Sequence, residues 1–234
     1  MEDNSFLGHL EELRKVILRS LAVVAALFPF SWWAAGRLIP FLTASLLPQD
    51  FATLHYFSPM EAFIAELKLG AIISFALAFP YVAWQFWQFV APALYKNEKK
   101  VLGKAVIFSS LLFIAGAAFV YFAILPILMR FAFSFASPHL RPVFGLANFL
   151  SLAGGLMLAG GLVFQLPLAT VILDRFSLVN RDKLKKARPY VVVILLILAA
   201  LATPPDVVSQ LLLFAPAYAL FELGVLFTRP APKE

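Results

Sequence analysis

Long uninterrupted apolar blocks, separated by short polar stretches rich in Lys and Arg, run through this 234-residue chain. Six blocks read as helical spans: Val16–Gly36, Glu61–Pro92, Val101–Leu125, Phe149–Leu173, Tyr190–Thr203 and Val207–Phe227. A helix needs about 20 apolar residues to cross a hydrocarbon core. In lipid, each backbone amide must be satisfied within its own helix or within a closed barrel. These blocks are solidly apolar with no alternation, so they predict helices and not barrel strands. No internal repeat, low-complexity tract or long polar linker interrupts the pattern, which makes 1–234 one domain. The fold class is therefore an all-α polytopic membrane protein with six transmembrane helices.

Local signals refine the ends. Ser58-Pro59-Met60-Glu61 reads as a capping box, with Pro at the first helical position and Glu reaching back. Thr203-Pro204-Pro205-Asp206 repeats that logic between spans five and six. Pro80 and Pro216 lie inside spans and should kink or loosen them. Pro126 marks the outer end of span three, and Arg130 to Asn148 reads as an outer loop with Ser137-Pro138 as its turn signal. Span five is short. Between Pro189 and Pro204 the sequence allows about 21 Å of helix, against a core of about 30 Å. Unless it borrows flanking residues, the final helical hairpin should thin the bilayer or leave its outer end sunk.

Composition agrees with the class. Hydrophobic residues make up 62% and charged residues 14%, with a mean hydropathy of +0.88. A soluble domain carries roughly a quarter charged residues, so this chain has too few to cover a wet surface. The absence of cysteine excludes disulfides and thiolate chemistry.

A net charge of +6 could suggest a nucleic-acid partner, but the distribution of the charge gives a simpler account. With the N-terminus inside, the inner side holds Arg14, Lys15, Arg19, Lys96, Lys99, Lys100, Lys104, Arg175, Arg181, Lys183, Lys185, Lys186, Arg188, Arg229 and Lys233. The outer side holds Arg37, Arg130 and Arg141, and Lys68 lies within span two. That bias places both termini in the cytoplasm. The acidic start, Met1-Glu2-Asp3-Asn4, lacks the basic region of a cleaved signal peptide, so the first block reads as a permanent helix.

Candidate chemistry is sparse. His9, His55 and His139 are far apart, and no HExxH, phosphate-cradling loop or nucleophile elbow is present. The expectation is no enzyme, no metal and no cofactor. Gly154-Gly155 and Gly160-Gly161 read as close helix packing. Gln165 is the one strong polar residue near mid-span, and it serves either a bond to a neighbouring helix or a function. Glu61, Glu66 and Lys68 lie in the outer turns of span two, where Lys68 and Glu61 either pair or act. Glu222 sits near the inner end of span six, within snorkelling reach of water. His9 to Lys15 starts an amphipathic helix with Leu10, Leu13 and Ile17 on one face. Within it, Glu11 and Glu12 are each spaced to pair with Lys15. Glu98, among Lys96, Lys99, Lys100 and Lys104, reads most simply as a charge balancer.

Five segments in register resemble one family. His9-Leu10-Glu11-Glu12-Leu13-Arg14 is similar to the H-L-x-E-L-R signature of TatC, the multi-spanning core subunit of the twin-arginine protein translocase. Ser58 to Glu61 resembles its outer start of span two, and Gln85 to Tyr95 followed by Glu98 its first cytoplasmic loop. Phe164-Gln165-Leu166-Pro167 falls at its F-E-x-P segment, and Thr203 to Gln210 at its last outer turn.

The resemblance implies a glove-like bundle in the bacterial cytoplasmic (inner) membrane. It would bind the twin-arginine signal peptides of folded precursors at Glu12 and Glu98, with Phe89 and Arg14 in the same site. It also implies docking of TatA-type and TatB-type single-span subunits in a multimeric complex driven by the proton-motive force. Gln165, Thr203, Pro204 and Asp206 are the implied partner-docking or intramembrane polar positions. Gln165 departs from the family's usual Glu, and an amide holds no charge and relays no proton.

The rival class, a secondary transporter or channel for a small solute, usually shows central ionisable groups or paired broken helices. Neither is visible here. An intramembrane enzyme would need a paired nucleophile and base, and none is present.

Overall fold

In the computed structural model, the chain is described except for residue 1 and residues 48–53, 91–98, 138, 140–141, 176–178, 180, 204–205 and 229–234. The described residues form α1 (Glu2–Leu46), α2 (Pro59–Val90), α3 (Lys99–Phe119), a π turn (Val120–Ile124) and α4 (Leu125–Phe133). After these come α5 (Leu146–Val163), α6 (Leu166–Arg175), α7 (Arg181–Lys186), α8 (Arg188–Ala202) and α9 (Val207–Phe227). Five helical segments are long and apolar enough to cross a membrane, and α8 is a shorter apolar helix. The chain is a polytopic helical membrane protein.

Four sequence-based boundaries are corrected. The first span does not end at Gly36. Leu42 and Leu46 continue the buried side of α1, and Pro29 and Pro40 lie within the helix without ending it. Arg37, expected in an outer loop, is therefore helical, with its guanidinium 3.8 Å from the Trp33 ring centroid. Pro126 does not end the third span either. In the π turn before it, Leu125 N–H bonds to Val120 O, five residues back, and this wider register accommodates the missing proline donor near the start of α4.

The fourth span is two helices. Pro167 has no N–H and crowds the carbonyl of Val163, so the ladder breaks at Phe164 and Gln165. Finally, Thr203 is not a second capping-box residue. It closes α8, its hydroxyl bonding back to Ala199 O at 2.9 Å, while Asp206 caps α9.

Helix contacts set the frame. Ser74 Oγ donates to Val24 O across the α1–α2 seam. Gly70 meets Trp32, and a Cβ at Gly70 would lie 2.9 Å from Trp32 Cα. Numbers therefore rise along one helix as they fall along the other, and the pair is antiparallel. The opposite side of α2 packs on α3, where Phe79 stacks on Phe113 at 4.0 Å between centroids. Gly116 of α3 and Gly160 of α5 meet backbone to backbone, so a Cβ on Gly116 would overlap Gly160 O. Gly154 packs on Ile72 and Gly161 on Phe113, whereas Gly155 meets nothing within 4 Å.

At the end of α2 opposite Phe89, His55 N–H bonds to Phe144 O at 3.0 Å and Leu146 N–H to His55 O at 2.8 Å. Glu61 holds the same corner, its Oε2 accepting from Phe57 N–H at 2.7 Å and its Oε1 from Ala147 N–H at 3.4 Å. It thus ties the segment leading into α2 to the first turn of α5. Its carboxylate is engaged by backbone amides and not by Lys68.

Candidate functional site

The antiparallel α1–α2 pair fixes where the candidate peptide-binding residues lie. Glu12 precedes Val24 by twelve residues, about 18 Å of helix, and Phe89 follows Ser74 by fifteen, about 22 Å. Since Val24 and Ser74 are hydrogen-bonded neighbours, Glu12 and Phe89 come out at the same end of the pair. Glu12 and Arg14 are exposed and Phe89 is half-buried. Glu98, the second candidate acid, lies outside the described residues, as does Pro204.

Gln165 occupies the break between α5 and α6. Its backbone N–H bonds to Leu162 O, three residues back, at 3.0 Å, which leaves Gly161 O without its usual helical donor. The side chain supplies one: Gln165 Nε2 donates to Gly161 O at 3.1 Å. The same amide reaches α3, donating to Ser109 O at 3.1 Å and accepting from Ser109 Oγ at 2.6 Å. Both amide hydrogens are thus engaged within the chain. An ionised glutamate could make neither donor bond and would face two carbonyl oxygens.

Asp206 and Thr203 do structural work at the hairpin. Asp206 Oδ1 accepts from Ser209 N–H at 2.7 Å and Oδ2 from Ser209 Oγ, satisfying an orphan donor of the first turn of α9. Gln210 Nε2 ties the hairpin across to Leu196 O at 3.0 Å.

One polar cluster at the other end of that hairpin escaped the sequence reading. Arg188 Nη2 pairs with Glu222 Oε2 at 2.6 Å, and Tyr218 OH donates to Glu222 Oε1 at 2.8 Å. A signal for it existed. Arg188 lies fifteen residues before Thr203 and Glu222 sixteen after Asp206, so an antiparallel hairpin puts opposite charges level.

Comparison with known proteins agrees with this architecture. The family model of the Sec-independent protein translocase protein (TatC) matches residues 8–216. The Sec-independent protein translocase protein TatC of Escherichia coli (strain K12) is 36% identical over 223 residues, 94% of this chain and 86% of that protein. Its counterpart in Carboxydothermus hydrogenoformans is 35% identical over 240 aligned positions, covering 100% of this chain and 98% of that one. A crystal structure of the twin arginine translocase receptor TatC superposes with a TM-score of 0.86 at 28% identity, covering 94% of this chain and 97% of the other. Matched along nearly its whole length in both sequence and fold, the chain belongs to the TatC family of Sec-independent protein translocase proteins.

Proposed function

We propose that this chain is the receptor and core subunit of a twin-arginine protein translocase, a membrane transport component and not an enzyme. In this reading the signal peptides of folded precursors bind at the Lys/Arg-rich end. Glu12 and Glu98 take the two arginines, and Phe89 and Arg14 lie beside them. The observation that carries the reading is the convergence of Glu12 and Phe89 at one end of the antiparallel α1–α2 pair.

The chemistry is suited to the ligand. A guanidinium fork donates two parallel bonds to a carboxylate, and two adjacent arginines call for two acids.

Further elements of the proposal are six spans, with α8 as the short fifth, and both termini in the cytoplasm. Residues 1–234 act as one domain in the bacterial inner membrane. Single-span TatA-type and TatB-type subunits dock along the bundle, and the proton-motive force drives transport. The Lys/Arg asymmetry supports the orientation.

Co-purification with a twin-arginine precursor from native membranes tests the proposal. Retention of the twin-arginine form and loss of its twin-lysine counterpart is expected. Equal retention of both, or uptake of a small solute by the reconstituted chain without precursor binding, would contradict it.

A further inference from the structure

The helical hairpin of α8 and α9 ends in a basic corner that the receptor reading does not use. The short helix α7 is anchored there by Leu184, which is buried with Phe221 and Val225 of α9. Ala187, between α7 and α8, keeps right-handed helical angles (φ −78°, ψ −9°). Its N–H bonds to Lys183 O at 2.9 Å, and Val191 N–H bonds to Ala187 O at 3.0 Å. Helical periodicity therefore runs through the junction. Arg181, Lys185 and Arg188 stand at positions i, i+4 and i+7, one stripe on one face.

That stripe carries three positive charges, with Asp182 also in α7 and Glu222 of α9 paired to Arg188. Glu222 takes one arm of Arg188, and the charge of Lys185 also acts on it. Arg181 Nε and Arg188 Nε are enclosed without a hydrogen-bond partner, while Lys185 is exposed and Arg181 and Arg188 are partly exposed, so the stripe keeps accessible N–H groups beyond the bond to Glu222. Accessible guanidinium and ammonium groups grouped on one stripe suit an anionic acceptor. Depth identifies which one. From Arg181 to Ala202 the near-continuous run measures about 33 Å. This exceeds a hydrocarbon core of about 30 Å and puts the α7 turn in the headgroup layer on the Lys/Arg-rich side. The anions concentrated there are lipid phosphates.

The geometry points to a binding site for the headgroup of an anionic phospholipid on the stripe Arg181–Lys185–Arg188, at the corner where α7 packs on α9. Basic pockets between transmembrane helices on this side of a membrane take such headgroups, and each basic residue strengthens the attraction about fivefold. A bound lipid would also hold the basic end of the α8–α9 hairpin at the surface.

The test uses the full chain in mixed micelles, with cardiolipin, phosphatidylglycerol and phosphatidylcholine competing for retention, read by native mass spectrometry. The wild type should retain the two anionic lipids preferentially. Arg181→Gln combined with Lys185→Gln should weaken that retention about 25-fold, at about fivefold per charge. Lys104→Gln, an exposed lysine of α3 near the same membrane face, should leave it unchanged. Cardiolipin should also raise the melting temperature of the wild type more than phosphatidylcholine does, which needs no variant to fold. Equal loss in Lys104→Gln would reduce the effect to bulk surface charge and overturn the site. Unchanged retention in the double variant, or displacement of the lipid by free inorganic phosphate alone, would overturn it as well. Each readout is independent of precursor binding, so failure here leaves the receptor reading standing.

Discussion

Ser109 and Gln165 hold each other twice, the hydroxyl donating to the amide oxygen at 2.6 Å and the amide nitrogen donating to the Ser109 carbonyl at 3.1 Å. This pair joins α3 to the break between α5 and α6 and supplies the donor that Gly161 O has lost. Hydrogen bonds inside a membrane average roughly 0.6 kcal/mol and reach about 1.7. Gln165→Leu, which removes three, should therefore destabilise the bundle by about 2 kcal/mol. Gln165→Glu should also cost stability, because a protonated carboxyl keeps one donor of two and an ionised one keeps none. Thermal melting in detergent checks both. A Gln165→Leu variant as stable as the wild type would show that the network contributes nothing net.

The Gly116–Gly160 crossing gives the second prediction. A Cβ on Gly160 would overlap Val120 Cγ2 and come within 3.0 Å of Gly116 O. Gly160→Ala or Gly116→Ala must push α3 and α5 apart, at a cost of about 1–3 kcal/mol from overpacking. Gly155→Ala meets open space and should be neutral or slightly stabilising. Equal melting temperatures for Gly160→Ala and Gly155→Ala would contradict the packing.

At the hairpin, Asp206→Ala should lose about 1 kcal/mol, the usual worth of an N-cap. Asp206→Asn, which keeps an acceptor for Ser209 N–H, should lose less. The comparison is again made by melting. Equal loss in both variants would indicate that the carboxylate's charge matters beyond its role as a cap.

Much of this was legible in the chain, and what was not has a common cause. Hydropathy marks which residues can lie in lipid, so the long apolar helices appeared as blocks and Gly154, Gly160 and Gly161 of α5 as packing residues, whereas Gly155, read the same way, meets open space. Hydropathy does not report where one helix stops. Gly36 and Pro126 looked like ends, yet α1 continues on buried Leu42 and Leu46, and a π turn carries the chain past Pro126. Partners distant in sequence were hidden for another reason. Ser109 and Gln165 are 56 residues apart, and only the packing of α3 on α5 brings them together. Glu61 was read as a local cap, but its second role depends on the loop at His55 pairing beside the start of α5.

Orientation is checked by labelling. The chain has no cysteine, so single cysteines report cleanly. An impermeant reagent added to intact cells should label Cys at position 139 and spare Cys at position 183. Labelling at 183 would invert the topology and, with it, the side on which peptides bind.

The central claim is that Glu12 and Glu98 together read the two arginines. An exposed ion pair alone contributes only about 0–1 kcal/mol, so selective binding requires bidentate geometry at both acids together with apolar contact at Phe89. The direct measurement is the affinity of the purified chain for twin-arginine and twin-lysine signal peptides, in the wild type and in the Glu12→Gln/Glu98→Gln double variant. The wild type should prefer twin arginine, and the preference should shrink as salt screens the charges over about 8 Å at physiological ionic strength. The double variant should lose the preference while melting at the wild-type temperature. A double variant that still selects twin arginine at the original affinity would show that these two acids are not the site.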